Sequence, residues 1–230
     1  MENLDFSGLT PVARPSTSET VTSQIRRGIF DGTFRPGAQM REVRLATQLG
    51  VSRGPLREAL QRLIQEGLLE HRRHRGVFVV RLSREDVEDI YFIRETLELP
   101  AVLQLVRNPS EEIMASLQEL VESMSSAAQD DDWVRVVQLD AEFHQRIVDG
   151  AGSVRLTRMF ETVHAETRMC LGALNLSHPQ ADEVAAEHRV LLRALRTADE
   201  GTLTRLWIEH LRDAAAALSA GIETDAAQES

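Results

Sequence analysis

Residues 45–79 read LATQLGVSRGPLREALQRLIQEGLLEHRRHRGVFV, and their changing hydrophobic period decides the fold. The run opens inside a short helical pattern over 41–50, with Val43, Leu45, Ala46 and Leu49 on the expected inner face. Gly50 ends it, as a glycine just past a helix C-terminus does by accepting a left-handed backbone. Ser52 is placed to cap the next helix, predicted from about Arg53 to Glu66. Pro55 falls in its first turn, where a missing N–H costs nothing, and Leu56, Leu60, Leu63 and Ile64 form its apolar stripe. The period then shortens. Residues 68–80, LLEHRRHRGVFVV, read as a hairpin of two β-prone arms around a basic tip closed by Gly76. Upstream, Val21, Ile25, Ile29 and Phe30 predict a helix from Ser18 that the Gly- and Pro-containing DGTFRPG (31–37) interrupts.

Helix, short helix, tight turn, helix and basic hairpin make a winged helix-turn-helix over residues 18–82. Residues 1–17, with two prolines, several Ser and Thr and no apolar period, read as a flexible arm. The third helix would carry Ser52, Arg53, Gly54 and Arg57 into a major groove, where an arginine can take guanine O6 and N7 together. The hairpin tip adds Arg72, Arg73, His74, Arg75 and Gly76, suited to a minor groove or a close phosphate. Charge agrees. Residues 1–82 hold 13 Arg and 8 acidic residues, whereas residues 83–230 hold 13 Arg and 28 acidic residues. A basic reading head joined to an acidic body is expected.

Beyond residue 82 the sequence reads as helices with brief breaks and no strand signal. Ser83 and Asp86 form a capping-box pattern opening a helix to about Arg107; further helices are predicted over 110–128, 131–149, 153–175, 180–198 and 200–220. Six helices with short connections predict an antiparallel all-α bundle over 83–222, followed by a frayed tail, 223–230. The fold class is therefore mainly α. One cysteine, Cys170, excludes an internal disulfide. No stretch approaches the ~20 apolar residues of a membrane span, and the N-terminus has no signal-peptide pattern. A cytoplasmic chain is expected.

In the bundle, DAEFHQRIV (140–148) puts Asp140 and His144 one turn apart on one helix face. His188, in AAEHRVLLRAL, and His210, in LWIEHLRDA, both project toward or near the bundle interior, while His178 precedes Pro179 in a loop and His164 is placed near the cavity with no clear reason to be a ligand. Three neutral imidazoles and a carboxylate would suit Zn, with Ni or Mn as other divalent candidates. By spacing alone, a single histidine on a part-apolar face reads more often as a hydrogen-bonded core residue; only the Asp140–His144 pair brings the two readings level.

Residues 45–79 resemble the DNA-binding domain of the GntR family of bacterial transcription regulators; the LGVSR-x-P-x-REAL-x-RL-x-x-EGL run is nearly complete. The resemblance implies that Arg53, Arg57 and the Gly76 tip contact operator DNA. Where some members carry a DNA-contacting arginine on the second helix, this chain has Val43, so Arg41 or Arg44 is assigned to stand in. Residues of about 85–220 resemble the FCD effector domain of the FadR-type branch, through FIRETLELPA (92–101), DAEFH (140–144), EHRVLLRAL (187–195) and His210. That resemblance implies a metal on Asp140, His144, His188 and His210, in the shorter, vanillate-regulator-like subgroup, unlike the acyl-CoA-binding members that lack the cage.

Arg94, four residues before Glu98, reads either as a clamp for an effector carboxylate or as half of a helix-surface ion pair; Arg168 and Asn175 are further pocket candidates. The expectation is a homodimeric regulator that binds a palindromic operator and answers to a small organic acid held at the metal. Leu97, Leu99, Val102 and Leu103 suit burial against both the bundle and a partner subunit. A direct metal sensor and a metal-dependent enzyme with an appended DNA module are the alternatives. No nucleophile elbow or phosphate loop supports the enzyme.

Overall fold

The computed structural model describes residues 15–173 and 181–228, with side chains for 15–171 and 181–222. The N-terminal unit comprises α1 (Thr17–Phe30), α2 (Glu42–Leu49), α3 (Arg53–Gln65), β1 (Leu69–Arg72) and β2 (Gly76–Val79). Ser16 and Glu19 close a capping box at α1, which satisfies two otherwise orphaned donors. Gly50 sits at φ +65° and ends α2 as expected. The strands pair antiparallel with Leu69 opposite Val79 and Arg72 opposite Gly76. Gln39 adds a bridge to Phe78, so the wing is tied to the segment before α2. Val21, Ile25, Leu56, Leu60, Leu63 and Val79 fill this unit's core.

Two local expectations change. Val43 is 61% exposed, and α2 buries none of its residues completely. The helix touches the core only through Leu45, Ala46 and Leu49, and eight residues cannot cover Val43 as well. Ser52 is the N-cap of α3, yet its hydroxyl makes no cap hydrogen bond.

The second unit comprises α4 (Arg84–Arg107), α5 (Glu111–Gln129), α6 (Trp133–Gly150), α7 (Val154–Ala173), α8 (Ala181–Thr197) and α9 (Glu200–Gln228). The Ser83–Asp86 capping box opens α4 as predicted. Ser110 caps α5 and Asp132 caps α6. The backbone of α9 is helical to Gln228, so the expected frayed tail continues the helix; IETDAAQ contains no Gly or Pro to stop it. Trp207, Phe143, Phe160, Leu117 and Ile147 are fully buried in the bundle core. Leu97 and Val102 belong to that core as well, leaving Leu99 and Leu103 only partly covered and Phe92 68% exposed on α4.

Helix α7 belongs to both units. Its Phe160, Val163 and Cys170 lie in the bundle core, whereas Met169 is buried in the winged-helix core with Ala165 packed beside it. Leu82, between the wing and α4, packs against both cores. No described helix is long and apolar enough to cross a membrane.

Candidate metal centre and DNA-reading surface

Four helices deliver the polar centre of the bundle. α6 contributes Asp140 and His144, α8 contributes His188, α9 contributes His210, and α4 contributes Arg94 and Glu98. One ligand atom from each of Asp140, His144, His188 and His210 lies within 4.8 Å of the other three. His188 Nε2 is 3.2 Å from Asp140 Oδ1, His144 Nε2 is 3.9 Å from the same oxygen, and His210 Nε2 is 3.3 Å from His144 Nε2. Donors bonded to one ion at about 2.0–2.2 Å stand roughly 3–4 Å apart, so these spacings fit a shared ion.

The outer nitrogens explain the convergence. His144 Nδ1 is 2.7 Å from Glu98 Oε2, His188 Nδ1 is 2.8 Å from the Val184 carbonyl oxygen, and His210 Nδ1 is 3.1 Å from Glu187 Oε2. With Nδ1 of each ring against an acceptor, each ring turns its Nε2 toward the common centre. The Nε2 atoms of His144 and His210 are 3.3 Å apart, a spacing that either a hydrogen bond between the rings or one shared ion accounts for. His188 Nε2 is buried with Asp140 Oδ1 3.2 Å away as its nearest ionic partner, and that contact does not have the geometry of a hydrogen bond. An orphaned inward nitrogen is what a coordinating cation would satisfy.

Electrostatics reinforce this arrangement. Burial pushes the His144 imidazole down to about 4 against the pull of Glu98, so the ring is neutral at pH 7. Burial alone would raise the Glu98 carboxyl, but Arg94 and His144 outweigh it and hold it at about 2. Burial would likewise raise Asp140; His188, His144 and Arg94 together hold it below the usual carboxylate range. Glu98 is wholly buried and accepts from Arg94 Nε at 2.7 Å and from Trp207 Nε1 at 3.0 Å. Arg94 therefore does form the helix pair with Glu98, and its guanidinium also lies 4.8 Å from the Tyr91 ring centroid. Its terminal amino groups have no hydrogen-bond partner among the described residues.

Arg168 is not brought to this centre. Its guanidinium lies 4.1 Å over the Phe30 ring, in a crevice also lined by Trp133, Val137 and Leu171. The stripe of α7 that meets the bundle at Phe160 reaches α1 two turns later, so the pocket expectation for Arg168 gives way to a contact between units. Asn175 and His178 lie outside the described residues.

Sequence reasoning missed Glu187 and Trp207, and placed His164 near the cavity without a ligand role. Trp207 stands three residues before His210, a same-face spacing that could have flagged it. Glu187 supports a histidine on another helix, and adjacency in sequence carries no such signal. His164 packs 5.2 Å from Phe160, and burial, with Arg94 and Arg168, pushes it down to about 3, so it is neutral beside the centre.

On the N-terminal unit, Arg41, Arg44, Ser52, Arg53, Gly54, Arg57, Arg73, His74 and Arg75 are exposed. Gly76 sits at φ +100°, a conformation that a side chain would strain. Arg57 Nε donates to Glu42 Oε2 at 2.8 Å; Arg41 Nε donates to Gln39 Oε1 at 3.3 Å; Gln39 Nε2 donates to the Arg75 carbonyl oxygen at 2.7 Å. These bonds link the start of α2 to both α3 and the wing. Arg72 lies 4.6 Å over the Phe78 ring, which braces the hairpin on the face away from the core.

Known proteins agree with both units. Residues 17–79 match the family described as bacterial regulatory proteins, gntR family, and residues 89–213 match the FCD domain. The uncharacterized HTH-type transcriptional regulator YdhC of Bacillus subtilis (strain 168) is 30% identical over 175 residues, 76% of this chain and 78% of that protein. The probable D-xylose utilization operon transcriptional repressor of Paenarthrobacter nicotinovorans is 33% identical over 190 residues, 80% of this chain and 82% of that protein. Among solved structures, a GntR transcriptional regulator from Rhodococcus sp. RHA1 aligns with a TM-score of 0.79 at 28% identity, over 89% of this chain and 98% of that one. E. coli McbR/YncC aligns at 0.77 and 26% identity, with the same coverage. A winged reading head on a six-helix bundle, with matches running through both, leaves one conclusion: the chain belongs to the GntR family of bacterial transcriptional regulators, in the FadR-type branch whose effector domain is FCD.

Proposed function

We propose that the FCD domain holds one divalent ion, Zn before Ni or Mn, on Asp140, His144, His188 and His210, and that a small carboxylate metabolite binding there controls operator affinity. The observation that carries this reading is the convergence of three inward Nε2 atoms, each backed by an acceptor at Nδ1. The ion would supply a Lewis-acidic anchor for the acid. Arg94 supports the choice of a carboxylate: Glu98 holds its Nε and steadies the side chain, while the terminal amino groups stay available for a second oxygen.

Coupling to DNA runs through α7. A bound acid that shifts His164 or Arg94 pushes on a helix whose Met169 is embedded in the other unit's core. The reader acts as a homodimer on a palindromic operator in the cytoplasm, with the partly covered α4 face around Phe92, Leu99 and Leu103 toward the partner. Dimeric readers need half-sites a whole number of turns apart, so a small rotation changes affinity.

The test is a thermal-shift screen of small carboxylates against zinc-loaded and chelator-stripped protein, repeated with Arg94→Ala. We expect stabilisation by an acid only in the zinc-loaded protein, and its loss in Arg94→Ala. Equal shifts with and without metal would rule the reading out.

A further inference from the structure

The Glu42–Arg57 pair spans the helix-turn-helix at the surface assigned to DNA. Glu42 occupies the first turn of α2, and Arg57 lies one turn into α3. Their 2.8 Å bond engages Nε alone among the guanidinium nitrogens of Arg57, whose side chain is 64% exposed. Guanine recognition uses a fork of two N–H donors on O6 and N7. With Nε held by Glu42, the two terminal amino groups make that fork, and the guanidinium plane is fixed before DNA arrives. A free arginine in the same place would swing toward the nearest phosphate, because charge is strongest there and carries no sequence information.

We propose that Glu42 is a specificity-determining residue that positions Arg57 to read a guanine and keeps it off the phosphate backbone. The proposal rests on the reading that Arg57 meets a base. Glu42 touches no DNA in this role. Its carboxylate acts through Arg57 and repels phosphate, so it lowers non-specific affinity while raising discrimination. Gln39, three residues earlier, does comparable work on the wing by holding the Arg75 carbonyl, which makes the start of α2 the common support of both reading elements. A purely structural Glu42, favourable only as an acid at a helix N-terminus, would leave base preference untouched.

The experiment is selection of bound duplexes from a randomised DNA pool by the full chain, followed by titration of the selected duplex and an unrelated one over a series of salt concentrations. Arg57→Ala identifies the position that Arg57 reads. Glu42→Ala is expected to lose about tenfold of the guanine preference at that same position, within the value of one bidentate arginine–guanine contact. Its affinity for unrelated DNA is expected to rise, with the salt slope steeper by about 1 as Arg57 turns to a phosphate. Glu42→Gln, which still offers an oxygen to Nε, is expected to keep most of the preference and guards against a folding defect in the alanine variant. Guanine preference retained in Glu42→Ala, or lost equally in all sequences with a lowered Tm, overturns the proposal. Preferences unchanged at every position in Arg57→Ala would instead overturn the reading beneath it.

Discussion

Glu98 joins two parts of the candidate site at the residue scale. One carboxylate oxygen takes Arg94, and the other takes His144 Nδ1 and Trp207. Removing its charge loosens the histidine that it orients. Glu98→Gln is expected to weaken zinc binding by about 10–100-fold in a competition titration, the usual cost of losing a carboxylate behind a ligating imidazole; an unchanged affinity would mean that His144 is oriented by other groups. Glu166 makes a second prediction, away from the centre. Burial, with Asp86 and Asp89 nearby, raises its carboxyl. A carboxyl raised in the folded state stabilises the fold only while protonated, and that contribution is lost as pH rises through the folded value. Glu166→Gln is therefore expected to raise Tm at pH 7, with the gain vanishing below about pH 4. A gain that persists in acid would show that charge is not its source.

At the scale of elements, α7 is the piece that both units share. Met169 is 3% exposed among winged-helix side chains, although it lies on a bundle helix. Met169→Ala is expected to cost about 2–4 kcal/mol in denaturant unfolding, as buried Met truncations do, while zinc affinity is unchanged; loss of zinc binding with intact stability would contradict the assignment of Met169 to the far core. The sequence made most elements legible because their ends are chemically marked: Gly50, the Ser83–Asp86 box and the basic turn before Gly76 each fix a boundary by a local mechanism. It could not show that α7 serves two cores, because which helix faces which is a long-range property. Val43 misled for a related reason, since helical period names a face without saying how much of it a neighbour covers. Asp140 and His144 were legible as a pair one turn apart, whereas Glu187 behind His210 was not, because that contact joins two helices.

Across the whole molecule, a polar centre buried among four helices sits beside a helix rooted in the DNA-binding core. The centre costs folding free energy unless its inward nitrogens find a cation, and a cation with room for one more ligand gives a small acid a place to act. On the proposed reading, Glu42 and Gln39 at the other end preset the reading head, so an effector would act by shifting an already ordered surface. X-ray absorption at the zinc edge of the metal-loaded full chain tests this account most directly. It predicts one zinc per chain with nitrogen and oxygen neighbours at about 2.0–2.2 Å and outer-shell scattering from three imidazoles, reduced to one in the His188→Ala, His210→Ala double variant. Zinc bound without imidazole scattering, or with the same spectrum in the double variant, would contradict it.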